Sequence, residues 1–161
     1  MNDSRVIHSD LQSSTPDDEG FQGIDFLVGG VWVARFYAND RLAAVLTESF
    51  ERRLNGHYLV SNQVQSSMTQ PVAVATIGHI GVDPLTNKLS MNNFTSAGGY
   101  STATQTGGTP NESWEFTGES VSSEGTVKWV NTITKLSQDS LRIESVCRGA
   151  TTRYQLQRET S

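Results

Sequence analysis

From Val31 onward, apolar and polar positions alternate with a period of two in about ten short runs, each cut by turn residues. The alternation is clearest late in the chain. Trp114 and Phe116 oppose Ser113, Glu115 and Thr117. Val127, Trp129, Asn131 and Ile133 oppose Thr126, Lys128, Thr132 and Thr134. Leu141 and Ile143 oppose Arg142 and Glu144, and Tyr154 and Leu156 oppose Arg153 and Gln155. In a strand, successive side chains point to opposite faces, so the apolar sets predict one face turned to a core.

Turn signals divide the runs. Trp32, Ala34 and Phe36 share a face before the turn at Asn39-Asp40. Runs 42–54 and 57–66 flank Asn55-Gly56, whose tolerance of positive φ suits a two-residue hairpin loop pairing Leu54 with His57 and Arg52 with Leu59. Pro71 opens a strand over 72–82, and Asp83-Pro84-Leu85-Thr86-Asn87 ends it. Strands follow over 88–95, 99–106, 112–118, 125–136, 140–147 and 151–158. Gly107-Gly108-Thr109-Pro110-Asn111 reads as a break. Every connection is short, which predicts antiparallel neighbours. An open sheet of this kind would carry two unpaired edges. Closure removes both, so the expected fold is all-β: an antiparallel up-and-down barrel of about ten strands.

The residues before Val31 read differently. Residues 1–14 are polar and are expected to be a flexible tail, with the barrel domain spanning 15–161. Thr15-Pro16-Asp17-Asp18 has the character of a helix start. Phe21, Ile24, Phe26, Leu27 and Val28, ending at Gly29-Gly30, predict one or two helical turns plugging one end of the barrel.

The middle strands obey the alternation poorly. In 42–54, Phe50 and Leu54 share a face with Glu48 and Arg52. In 57–66, Leu59 shares a face with His57, Gln63 and Gln65, and in 72–82 both faces are small or apolar. A β-bulge that shifts register would produce this. So would a lumen that is partly polar because it binds something.

Composition and charge narrow the classes. The chain has 161 residues, 35% of them hydrophobic, and a net charge of −5 without a basic run. Nucleic acid and anionic membrane surfaces, which need clustered cations, are disfavoured as partners. No apolar stretch reaches the roughly 20 residues that span a bilayer. The acidic N-terminus lacks the apolar core of a secretion signal, so the expected location is cytoplasmic. One cysteine, Cys147, allows no internal disulfide. Asn93-Phe94-Thr95 and Asn111-Glu112-Ser113 match the glycosylation acceptor pattern, but without a secretion signal they read as chance matches. The composition leaves room for a homodimer.

Three segments carry a family resemblance. Gly30-Val31-Trp32, after its short plug, resembles the Gly-x-Trp entrance of lipocalin-like (calycin) barrels. With Leu54-Asn55-Gly56-His57-Tyr58-Leu59 and Gly81-Val82-Asp83-Pro84-Leu85-Thr86-Asn87-Lys88, the order resembles the DUF1579-type barrel proteins of bacteria over residues 21–158. The resemblance implies a lipocalin-like barrel and carries little chemistry. Nitrobindin barrels also open with Gly-x-Trp, but their proximal histidine lies late in the chain. Here His8, His57 and His79 are the only histidines, so no imidazole stands at the matching place and no haem is expected.

Candidate chemistry is sparse. Three scattered histidines and one cysteine give no metal-ligand spacing, and no nucleophile or phosphate-loop motif is present, so no metal or cofactor is expected. His57 sits at a hairpin. His79 lies in an apolar strand and is the acid/base candidate if it faces the interior. Cys147 shares a face with Leu141 and Ile143 and reads as inert packing. Trp32, Phe36, Trp114, Phe116, Trp129 and Tyr154 fall on inward faces, and Tyr58, Phe94 and Tyr100 are candidates to join them. Met91, Asn93, Asn131 and Ser145 would add a few placed groups to such a wall, which is the usual make-up of a small-molecule site.

Three readings follow. The first is a barrel that binds a small apolar or aromatic molecule, with Trp32, Phe36, Tyr58, Met91, Asn93, Trp114, Trp129 and Tyr154 lining the site. Calycin-like barrels include cyclases and isomerases, so the resemblance also implies a second reading, a metal-free cyclase or isomerase; its catalytic groups would be His79, Tyr100 and Asn131. The third is a structural barrel with a filled core.

Overall fold

The computed structural model describes residues 21–54, 56–69 and 73–159. Ten strands form one closed antiparallel barrel: β1 (Val31–Ala38), β2 (Arg41–Arg53), β3 (Tyr58–Ser67), β4 (Val74–Asp83), β5 (Lys88–Thr95), β6 (Tyr100–Thr109), β7 (Ser113–Ser122), β8 (Gly125–Ser137), β9 (Ser140–Cys147) and β10 (Ala150–Glu159). Each strand pairs with its neighbours in sequence. The sheet closes where β1 meets β10, with Val31 opposite Glu159 and Val33 opposite Gln157. Three residue pairs make this seam.

Local chemistry fixes the turns. Asp83 accepts hydrogen bonds from the Leu85 amide at 2.9 Å and the Thr86 hydroxyl at 2.8 Å. These bonds hold its carboxyl below the usual carboxylate range. At the first hairpin Arg52 pairs with Leu59, the expected register. The ladder stops one pair early, however, at Arg53 and Tyr58, because Leu54 turns to a φ of 51°. Gly107 and Gly108 do not break the chain. They lie within β6, next to a bulge that shifts the register between Gln105 and Gly107.

The expected N-terminal helical plug is a single 3-10 turn, Ile24–Leu27. Gly23 before it has φ 76°, and Gly29 and Gly30 after it have φ 86° and 72°. Backbones in the left-handed region on both sides leave too few residues for an α-helix to nucleate. The turn still closes one end of the barrel. Phe21, Ile24 and Leu27 are buried among Trp32, Leu59, Leu89, Trp114, Phe116 and Leu156. The Trp32 indole donates to the Leu27 carbonyl at 2.8 Å, and the Trp114 indole donates to the Gln22 carbonyl at 3.1 Å. Arg52 lies over the Phe21 ring, Lys135 over Phe26 and Arg158 over Trp32, and Arg52 pairs with Asp25 at 2.8 Å. The tail over 1–14 and the helix start at Thr15-Pro16 lie outside the described residues. Among the described residues, no helix is long and apolar enough to cross a membrane.

Candidate ligand-binding site

Above the plug the barrel holds an internal cavity of about 130 Å³. Its floor is the plug end, with Leu27 and Trp32 among the lining residues. Its walls come from both halves of the ring.

The half built from β2 to β5 carries most of the polar groups, interleaved with Phe50, Ile80 and Met91. Glu48 on β2 stands opposite Gln63 on β3, which stands opposite Thr76 on β4. One level away, Phe50, Ser61, Gly78 and Asn93 follow one another across β2, β3, β4 and β5. Residues paired in this way present their side chains to the same face, here the lumen. Gly78 makes this second row work. A Cβ at that position would lie 2.4 Å from Asn93 Oδ1 and 2.5 Å from Ser61 Oγ, so only glycine leaves both polar groups room. The Asn93 amide donates onward to Ser101 Oγ at 3.2 Å.

The half built from β7 to β10 is mostly apolar: Phe116, Ile133, Leu141, Ile143 and Leu156, with Asn131 and Tyr154 as its polar members. Tyr154 packs against Phe36 with ring centroids 5.4 Å apart. The Asn131 Oδ1 atom is buried and has no hydrogen-bond partner among the described residues. A buried acceptor without a donor carries its full desolvation cost, on the order of 1–3 kcal/mol.

Glu48 is the one carboxyl in the cavity wall, and no lysine, arginine or histidine lines the cavity among the described residues. Burial raises it from 4.5 to about 7, while the Ser61 hydroxyl and Gln63 amide beside it act in the other direction. Tyr154 is raised to about 12, first by its own burial and then by the Glu48 charge. The interior thus presents one carboxyl poised near neutrality, a neutral phenol and an amide acceptor that no described residue satisfies.

The expected site residues divide. Trp32, Met91, Asn93, Asn131 and Tyr154 line the cavity. Phe36 and Trp129 pack against the core, and the Trp129 indole donates to Ser120 Oγ at 2.8 Å. Trp114 is fully buried, stacked on Phe26 in the plug rather than on the cavity wall. Ser145 stands beside Asn131 in register but does not reach the cavity.

His79, Tyr58 and Tyr100 are elsewhere. Gly78 and Ile80 turn inward, so the alternation of β4 puts His79 on the outer face, between Val60 and Asn92. Tyr58 precedes the buried Leu59, is 41% exposed, and covers Gly81 from outside. Tyr100 is 46% exposed and continues an outer row through Phe94 and Ile77. Of the proposed catalytic trio, only Asn131 meets the cavity.

Glu48, Phe50, Ser61, Gln63 and Thr76 were not singled out from the sequence, yet they form much of the wall. Their signal was present as the confused alternation of 42–66. The ladders joining β2, β3, β4 and β5 show no register shift, so a bulge does not account for it. The mixed face is the lumen.

Among the described residues, no group of His, Cys, Asp and Glu side chains is placed to hold a metal ion. No protein-family model matches this sequence, and no curated protein matches it significantly.

Proposed function

We propose that the chain is a lipocalin-like barrel, of the DUF1579 type, that binds a small, largely apolar molecule in its interior. The observation that carries the reading is the unpartnered Asn131 acceptor in an otherwise well-packed wall, facing a cavity shared with Glu48. A barrel whose interior served packing alone would gain stability from an apolar residue at either place. Size sets the ligand. Drug-sized ligands usually occupy about 300–1,000 Å³, whereas an apolar cavity of about 150 Å³ admits benzene. At about 130 Å³, the site suits a single ring or a short branched chain and is too small for a folded polyketide.

A second reading, a cofactor-independent isomerase, is favoured by one observation: a carboxyl near pH 7 beside a phenol can take and return a proton on a bound substrate. In that case Glu48, not His79, would be the base, with Asn131 orienting the substrate.

Saturation-transfer NMR with a panel of one-ring compounds (phenols, anilines, benzyl alcohols, cyclic ketones) tests binding. Transfer to wild type that is abolished by Ile143→Trp, which fills the cavity, is the expected result. A panel without a single binder would refute the binding reading. Deuterium exchange into a bound ketone, lost in Glu48→Gln, would select the isomerase.

A further inference from the structure

The arrangement of charge inside the barrel says more about the ligand than its size does. We infer that the interior site selects a small cation, a molecule with an ammonium group on an apolar body about one ring in size, and that Glu48 is its counter-ion. The inference rests on the binding reading above and deepens it.

Three independent features point the same way. First, among the described residues, the groups that face Glu48 bring it no matching cation. β1 offers Trp32, β3 offers Ser61 and Gln63, β4 Thr76, β5 Asn93, β8 Asn131, and β10 Tyr154, which stays a neutral phenol across the physiological range. Arg52, on the same face of β2 toward the plug, is engaged with Asp25 and lies over Phe21, and Arg158 lies over Trp32. A carboxylate in a wall without a cation costs stability unless something brings one to it. Second, the unpartnered group on the other wall, Asn131 Oδ1, is also an acceptor. An ammonium group brings N–H donors and no acceptor, which complements both groups. Third, Trp32, Phe50, Phe116 and Tyr154 present rings to the same space. Ring faces attract cations, and a cavity that combines them with one carboxylate is suited to ammonium groups.

An acidic ligand fails on the same features. Its carboxylate would meet Glu48 with like charge and would give Asn131 Oδ1 no donor. A neutral alcohol could satisfy Asn131 but would leave Glu48 to remain protonated, or charged and unmatched. Burial places Glu48 near pH 7, so a cation that needs the carboxylate should bind more tightly as the pH rises through that value.

The test uses three molecules of one shape: phenethylamine, 2-phenylethanol and phenylacetate. Each is titrated into the full chain by calorimetry at about pH 8 and about pH 6, alongside Glu48→Gln and Asn131→Ala. The amine keeps its proton at both values. Wild type is expected to bind the amine at least about tenfold more tightly than the alcohol at the higher pH, with no measurable binding of the acid. Amine affinity should fall about tenfold between the two pH values as Glu48 takes up a proton. Glu48→Gln should lose both the preference and the pH dependence while keeping alcohol affinity, and Asn131→Ala should weaken the amine about three- to tenfold without changing the pH dependence. If the alcohol or the acid equals the amine in wild type, or if Glu48→Gln keeps the preference, the cation assignment is wrong while the barrel remains a binder. If none of the three binds and the wider one-ring panel is also silent, the binding reading fails as well.

Discussion

Glu48→Gln is the most incisive single change to this barrel. It removes the charge in the cavity wall while keeping the size of the side chain. In the folded protein the carboxyl is raised from 4.5 to about 7. An acid raised by folding binds more protons in the folded state than in the unfolded state between those two values. Stability therefore falls as pH increases through that window, and the full penalty of the buried carboxylate is felt only above about 7. At 1.36 kcal/mol per pH unit, the full displacement is worth about 3 kcal/mol. Water reaching the cavity reduces this toward 2, which remains a large share of the 5–15 kcal/mol that holds a typical domain together. The assay is urea unfolding at about pH 5, 6, 7 and 8, followed by tryptophan fluorescence. Wild type should lose about 2–3 kcal/mol across the series, and Glu48→Gln should lose far less. Asp83 and Glu144, whose carboxyls are held low, respond in the opposite sense at lower pH, but they are common to both proteins and cancel in the difference. Parallel curves for the two proteins would show that Glu48 is not buried as described, and the account of the site would fail with it.

Three further changes probe neighbouring features. Gly78→Ala puts a Cβ against Asn93 Oδ1 and Ser61 Oγ; it should cost about 1–3 kcal/mol in urea unfolding and break the Asn93–Ser101 bond, seen as a shifted Asn93 side-chain amide in NMR. Trp32→Phe strands the buried Leu27 carbonyl and leaves a void under the plug, for an expected loss of about 2–4 kcal/mol by the same measurement. Asn131→Leu replaces an unsatisfied amide with an apolar group of similar size; it should raise stability by about 1 kcal/mol in urea unfolding while weakening amine binding about three- to tenfold in calorimetry, the exchange of stability for function expected of a site residue.

The residues that made the sequence readable were those obeying one rule at a time. From Trp114 to Leu156 most inward positions are apolar, with Asn131 the exception at the cavity, and most outward ones are polar, so pattern and geometry largely agree. The Asp83 turn and the pairing of Arg52 with Leu59 follow from local chemistry and needed no tertiary information. The site was harder for a physical reason. Inward residues that serve a cavity are themselves polar, so the alternation that identifies a core disappears where function begins. Glu48 beside Phe50, and Gln63 two residues after Ser61, look like a slipped strand until the unbroken ladders show which way they point. His79, Tyr58 and Tyr100 carry suitable chemistry but stand on the outer face. A one-residue difference in register is enough to put such a side chain on the far side of the wall.

The meeting of β1 and β10 has a consequence for how the chain reaches its native state. Every other strand pairs with the one made just before or after it, whereas Trp32 finds Arg158 only when the last strand arrives. Contacts between such distant positions form late and slowly, because a long loop must be closed to make them. Until then one edge of β1, opposite the edge paired with β2, lacks its partner strand. Completion of the seam therefore ends an interval in which an unpaired strand edge is open to misassociation.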